Sequence, residues 1–147
     1  MSEIRHAVES DISEIIRMAG MFWKQTDYDV PFDDDSALRL IQACMDQKLC
    51  MVLDVDGIHG FVGGISFPLM GNNAYTIGAE LAWWVDEEYR SGRNGLILMQ
   101  AIEDSARESG VHYWSMMNLE SVNPEIAETI YLRSGYKKTE STFLKEL

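Results

Sequence analysis

A chain of 147 residues suits one domain around one core, and 46% apolar against 24% charged residues is the balance of a globular protein, not of a disordered or collagen-like one. No apolar run reaches the ~20 residues of a membrane-spanning helix, and the first six residues form no signal-type apolar segment, so the expected location is the cytoplasm. Twenty-four acidic against twelve basic residues give a formal net charge of −12, which repels nucleic-acid phosphates and either favours a cationic partner or serves solubility alone.

Ile4 to Val8 reads as a short first strand. Asp11, with Glu14 three residues on, has the spacing of a helix-opening capping box, and Ile12, Ile15, Ile16, Ala19 and Trp23 follow at helical intervals. Thr26 to Asp35 is a loop with Pro31 and five aspartates, and Ser36 to Gln47 a second helix with Leu38, Ile41 and Met45 facing inward. Leu49–Val55, Ile58–Pro68 and Ala74–Val85 read as an antiparallel meander, turned by Asp56-Gly57 and Gly71-Asn72-Asn73. Gly63-Gly64 inside the second of these strands signals a bulge or a close backbone approach. Asn94–Ser109 is a helix with Leu98, Ile102 and Ala106 on one face and Gly110 as its stop. Val111–Leu119 is a strand. Asn123-Pro124 opens a helix that ends at Gly135, and Tyr136–Leu144 is a closing strand. Cys44 and Cys50 lie outside any Cys-x-x-Cys pattern and the three His are dispersed, so these are expected to be reduced, partly buried thiols, with no metal site.

The chemistry concentrates between Val85 and Gly95. A strand ends at Val85, a helix begins near Asn94, and Arg90-Ser91-Gly92-Arg93 lie between. The first turn of a helix presents backbone N–H groups with no intrahelical partner, and with the helix dipole these favour a phosphate. Gly92 and Gly95 permit close approach, and Arg90 and Arg93 add positive charge. On the residues alone, a phosphate cradle and a plain loop with a solvated arginine pair both remain open.

The stretch resembles the acetyl-CoA motif of the GNAT superfamily of N-acetyltransferases, [Q/R]-x-x-G-x-[G/A] opening a helix after a strand that ends in Val. Arg90 fits the first position and Gly95 the last, while Arg93 stands where the family usually has Gly, and Glu87 where it commonly has Pro. Ala127 to Tyr136 is similar to the family's A-x-x-x-Y-x-x-x-G-[F/Y] pattern, with Asn123 one residue farther upstream than usual. The resemblance covers nearly the whole chain. It implies a single GNAT-like α/β (α+β) domain over residues 1–147, with a mixed central sheet of about six or seven strands and about four flanking helices.

It also implies acetyl-CoA as cosubstrate and no metal. The pantetheine arm would lie beside Trp83 to Val85, with Asn123 near it, and the diphosphate on the amides of Arg90, Ser91, Gly92, Arg93, Asn94 and Gly95. The implied chemistry is direct attack of an amine on the thioester, with Tyr131 in the position of the family's general acid. A phenol of reference pKa ~10 is protonated at pH 7 and can donate to a thiolate whose acid lies near ~8.5.

A lysine-like amine of pKa ~10.4 is neutral about once in 2,500 molecules at pH 7, a penalty of roughly 4.6 kcal/mol that a base can reduce. Glu80, on the strand leading to Val85, is the candidate base, against the plainer reading of a strand-surface or paired carboxylate; His112 and Glu120 are weaker candidates. Trp23, Tyr28 and Phe32, interleaved with Asp27, Asp29, Asp33, Asp34 and Asp35, suit a cationic acceptor, although a solvated acidic loop with capping aspartates is the simpler account.

The expected partner is therefore an amine-bearing, cationic small molecule, or a peptide or protein lysine or N-terminus. Nucleic acid and membrane are not expected, and a homodimer is left open. Two other readings stand beside this one: a catalytically degenerate acyl-CoA-binding sensor, motivated by Arg93, and an acidic interaction protein that binds a basic partner, motivated by the net charge.

Overall fold

The structure is a computed structural model that describes residues 3–119 and 123–147. By backbone contacts the chain divides into two compact units, one up to Met117 and one from Asn118 onward.

The first unit holds five strands in the order of their sequence: β1 (Glu3–His6), β2 (Cys50–Asp54), β3 (Ile58–Leu69), β4 (Asn72–Val85) and β5 (Tyr113–Ser115). The first four pair antiparallel, whereas β5 joins β4 in parallel after a helical crossover, as chain direction requires. Helices α1 (Ile12–Trp23) and α2 (Asp34–Asp46) cover one face, where Ile15, Met18, Ile41 and Cys44 pack with Cys50, Val52 and Phe61. Helix α3 (Asn94–Glu108) covers the other, where Leu98, Ile102 and Ala106 meet Leu49, Met51, Leu53 and Val62. The α3 stripe is the one its 3.6-residue spacing predicts, and Gly110 stops the helix with a left-handed φ of 82°.

Asp11 stands at the N-cap position of α1, as read, but its side chain makes no cap hydrogen bond to that helix. It ends a single turn of 3-10 helix, accepts the Val8 N–H at 2.8 Å and takes two hydrogen bonds from Arg5 at 2.7 and 3.1 Å. The Arg5 hydrogen bonds hold its carboxyl below the usual range against the opposing effect of burial. Asn72 begins β4 instead of belonging to the turn, its side chain accepting the Ala74 N–H at 3.1 Å. Cys44 and Cys50 are free, as read, but fully buried, and burial pushes their thiols up to about 11 and about 12.

Among the described residues the sheet has five strands, not six or seven. Residues 136–147 form no strand: the run is mostly polar, its apolar Phe143, Leu144 and Leu147 are exposed, and a ladder with no face to bury gains little. The expected strand Val111–Leu119 shrinks to three residues. The Val111 N–H is spent closing α3 on Ala106 O, and the Met117 N–H goes to a side chain. The second unit contains α4 (Pro124–Arg133), entered at Asn123 with Pro124 in its first turn, and left through Gly135 at φ 92°.

Candidate active site

Strand β4 is longer than its partner. Ile77, Gly78 and Ala79 pair with β5, but β3 stays with β4 through Val85. Residues 80–85 therefore present an edge with no strand beside it among the described residues. This parting starts at a crowded point. A Cβ on Gly64 would lie 2.5 Å from both the Ala79 carbonyl and Trp114 Cη2, and one on Gly78 2.5 Å from Trp114 Cε3, so the Trp114 indole lies on glycine. The ladder also slips at Gly63/Gly64, the bulge expected there, and the extra residue, Leu81, lies on β4.

Glu80 stands where the strands separate. Its side chain is 3% exposed; Oε1 accepts the Met117 N–H at 3.2 Å and Oε2 has no hydrogen-bond partner among the described residues. Burial pushes its pKa up to about 8, with the Met117 hydrogen bond opposing weakly, so the carboxyl is mostly protonated at pH 7. It is neither a strand-surface group nor one of an ion pair.

Val85 ends the open edge, and the chain passes through one 3-10 turn, Glu87–Tyr89, to reach α3. No side chain caps α3, whose N-cap is Arg93. Gly92 takes a left-handed φ of 84° with open space where a Cβ would be. Gly95 lets the helix start close on the Trp83 ring, 3.3 Å from where its Cβ would lie. The structure thus assembles Trp83, Val85, Arg90, Ser91, Gly92, Arg93, Asn94 and Gly95 into one strand-loop-helix junction. The two arginines differ in role. Both are exposed, but Arg90 turns back, donating from Nε to Val85 O at 2.6 Å and laying its guanidinium 4.5 Å from the Trp84 ring centre. Asn94 Nδ2 donates to Tyr89 O at 2.9 Å.

Sequence reading missed the anchor of this loop, Asp86. Its carboxylate accepts two hydrogen bonds from Arg17 on α1 at 2.7 and 3.2 Å, one from Trp84 Nε1 at 3.0 Å, and faces His59 Nδ1 at 3.2 Å. Burial raises its pKa, but the bonds from Arg17, Trp84 and His59 prevail and hold it low. The His59 ring in turn stacks on Tyr89 at 4.0 Å. Arg17 and His59 lie 69 and 27 residues from Asp86 in sequence, beyond any local pattern.

The other expected residues divide. Tyr131 is buried on α4 in the second unit, its ring 5.6 Å from Tyr136. Asn123 enters α4 at φ 36° and its carbonyl accepts the Ile126 N–H, but its side chain does not cap the helix. His112 is held at the sheet edge, where Nδ1 accepts the Thr76 N–H at 3.1 Å and the ring meets Tyr75 edge-on. Glu120 lies outside the described residues. After α1, Trp23 stacks on Tyr28 at 5.4 Å and donates to Val30 O at 2.9 Å, while Asp33 caps α2 through the Ser36 N–H at 2.8 Å. Among the described residues no cluster of His, Cys, Asp and Glu could hold a metal ion.

Comparison with known proteins agrees with this architecture. The model of the Acetyltransferase (GNAT) family matches residues 13–126. No curated protein sequence matches the chain significantly. Among solved structures, a predicted acetyltransferase with acetyl-CoA from Clostridium acetobutylicum superposes with a TM-score of 0.76 at 15% identity, over 99% of this chain and 96% of that one. A ribosomal-protein-alanine N-acetyltransferase from Brucella melitensis biovar Abortus gives 0.76 at 17% identity, over 99% of both chains. Glucosamine-6-phosphate N-acetyltransferase from Arabidopsis thaliana gives 0.75 at 14% identity, over 99% of this chain and 98% of that one.

Proposed function

This chain belongs to the Acetyltransferase (GNAT) family, whose members are acetyl-CoA-dependent acyltransferases, and from that premise we propose that it moves the acetyl group of acetyl-CoA to a primary amine. The observation that carries the reading is the parting of β4 from β5 after Ala79, which leaves residues 80–85 with no strand beside them among the described residues and leads them to the start of α3, where no side-chain cap is made. An extended amide-bearing arm can hydrogen-bond along such an edge, and a diphosphate suits unpaired helix-start amides beside a left-handed glycine. Trp83 and Val85 line the arm's course, and Arg90 to Gly95 hold the diphosphate end. Asn123 is assigned to the arm as well. Asp86 fixes the loop from below, so that little ordering is left to be done on binding.

The residues then have separable tasks. Glu80, in its carboxylate form, takes the proton that the amine must lose; a group whose pKa lies near 8 is well matched to that step. The amine nitrogen bonds to the acetyl carbon as the carbon–sulfur bond breaks, and Tyr131 gives its phenolic proton to the departing thiolate. The acceptor is a cationic amine. The net charge of −12 supports the positive charge, and neighbours named as an aminoglycoside N-acetyltransferase, a ribosomal-protein-alanine N-acetyltransferase and a glucosamine-6-phosphate N-acetyltransferase support the amine.

The test is thiol release from acetyl-CoA across a panel of polyamines, aminoglycosides, amino sugars and basic peptides, with the melting temperature recorded with and without CoA. CoA should raise the melting temperature, and at least one amine should stimulate thiol release. Tyr131→Phe should lower kcat about tenfold or more and leave the CoA-induced shift intact. No CoA-induced shift, together with no amine-dependent release, ends this reading.

A further inference from the structure

Strands β3 and β4 run on beyond their neighbours as a two-stranded ribbon. Strand β2 pairs with β3 only as far as Gly63, and β5 with β4 only from Ile77 onward. Both edges of the ribbon are closed. Along β3, the Gly64 N–H goes to Leu49 O at 2.9 Å, the Ser66 N–H to Gln47 Oε1 at 2.7 Å, and Pro68 has none to offer. Along β4, the Thr76 N–H goes to His112 and the Ala74 N–H to Asn72. A strand from another molecule finds no free donor at these positions, which is how exposed edges escape unwanted pairing.

One face of the ribbon is mostly apolar. Phe67 pairs with Ile77, and Ile77 pairs with Tyr113, so the three form a row across three strands, with Tyr75 two residues farther along β4. Phe67 is 48% exposed, Tyr75 46% and Tyr113 61%, and Met70 at the turn is fully exposed. Residues 57–79 and 110–119, which supply this region, contain no Asp, Glu, Lys or Arg. In a chain of net charge −12, this is where a like-charged molecule can approach with least repulsion.

We propose that this uncharged face is the seat of a second copy of the same chain, packed face to face about a two-fold axis, with Phe67, Tyr75 and Tyr113 at its centre. A two-fold contact sets one patch against itself, which a neutral patch tolerates and an acidic one does not. The rings carry roughly 150–250 Å² each, so at these exposures they and Met70 offer about 500 Å² per copy, or about 1,000 Å² in all. That is the lower bound for a specific interface. A partner drawn by the protein's charge would be basic and would seat on carboxylates, which the two segments supplying this face lack.

Sedimentation velocity of the purified chain over about 1–200 μM, at about 50 mM and 500 mM NaCl, tests the assignment. A reversible dimer is expected, and it should tighten as salt rises, because screening removes repulsion between two acidic copies. Phe67→Glu and Tyr75→Glu should each raise the dimer dissociation constant at least about thirtyfold, with circular dichroism showing the monomer still folded at the assay temperature. A chain that stays monomeric throughout overturns the proposal. So does a dimer that ignores both substitutions, or one that loosens as salt is added.

Discussion

Replacing Glu80 with glutamine separates the ionisation of this side chain from its shape. The wild-type carboxyl has its pKa pushed up to about 8, whereas the unfolded chain leaves it near 4.5. Between those values the folded protein keeps a proton that the unfolded chain has released. The slope of unfolding free energy with pH follows the protons bound in the unfolded minus the native state, here negative, so stability falls as pH rises from about 4.5 to about 8. Each pH unit inside that window costs up to about 1.4 kcal/mol, and the whole window up to about 5 kcal/mol, a large part of the ~5–15 kcal/mol that holds a domain together.

Glutamine keeps an oxygen for the Met117 N–H, fills the same volume and does not ionise. It also buries an amide nitrogen where Oε2 has no partner among the described residues, at a cost of about 1–3 kcal/mol that does not depend on pH. Only the pH dependence is therefore diagnostic. Urea midpoints for both proteins at pH 5, 6, 7, 8 and 9 should show the difference moving steadily in favour of Glu80→Gln across the window, and levelling beyond pH 8. If the two profiles run parallel from pH 5 to 9, Glu80 is not the buried proton-holding group described here. The same pair of proteins tests its chemistry: wild-type kcat/KM should climb through about pH 8, and the variant should lose that limb.

Gly64→Ala should destabilise the fold by about 1–3 kcal/mol or more in urea, since its Cβ would lie 2.5 Å from the Ala79 carbonyl, a backbone atom with little room to move. Gly71→Ala, with nothing within 4 Å of the added carbon, is the matched control and should stay within about 0.5 kcal/mol. Asp86→Asn keeps acceptors for Trp84 but weakens the hold on Arg17, and should raise the KM for acetyl-CoA about five- to tenfold while kcat changes less than about twofold. Asp86 is held below its ordinary pKa, so its stabilising contribution is present above about pH 4 and is lost on acidification; comparing acid unfolding of variant and wild type below that pH reads it directly.

Much of the fold is legible locally. The amphipathic stripe of α3, the Asp56-Gly57 turn with its φ angles of 53° and 127°, the stop at Gly110 and the entry at Asn123-Pro124 all follow from residue type and spacing within a single turn or hairpin. The glycine pair at Gly63-Gly64 announced both a bulge and a close approach. The strand-loop-helix junction was legible for the same reason: its residues are contiguous, so one pattern contained Val85, Arg90 and Gly95 together.

What the sequence left undecided depends on groups distant along the chain. Asp86 is an ordinary acid until Arg17 and His59 arrive from α1 and β3. Arg90 reads as a free cation until Trp84 and Val85 O turn it back. Glu80 reads as a candidate base or a strand-surface or paired carboxylate, and only its burial in the folded chain raises its pKa. The closing strand expected at 136–144 fails for a related reason: a mostly polar run has little to bury, and only the folded chain decides whether a ladder forms there. Periodicity and turn chemistry are properties of neighbours along the backbone, whereas desolvation and ion pairing are properties of neighbours in space, and those are set by packing.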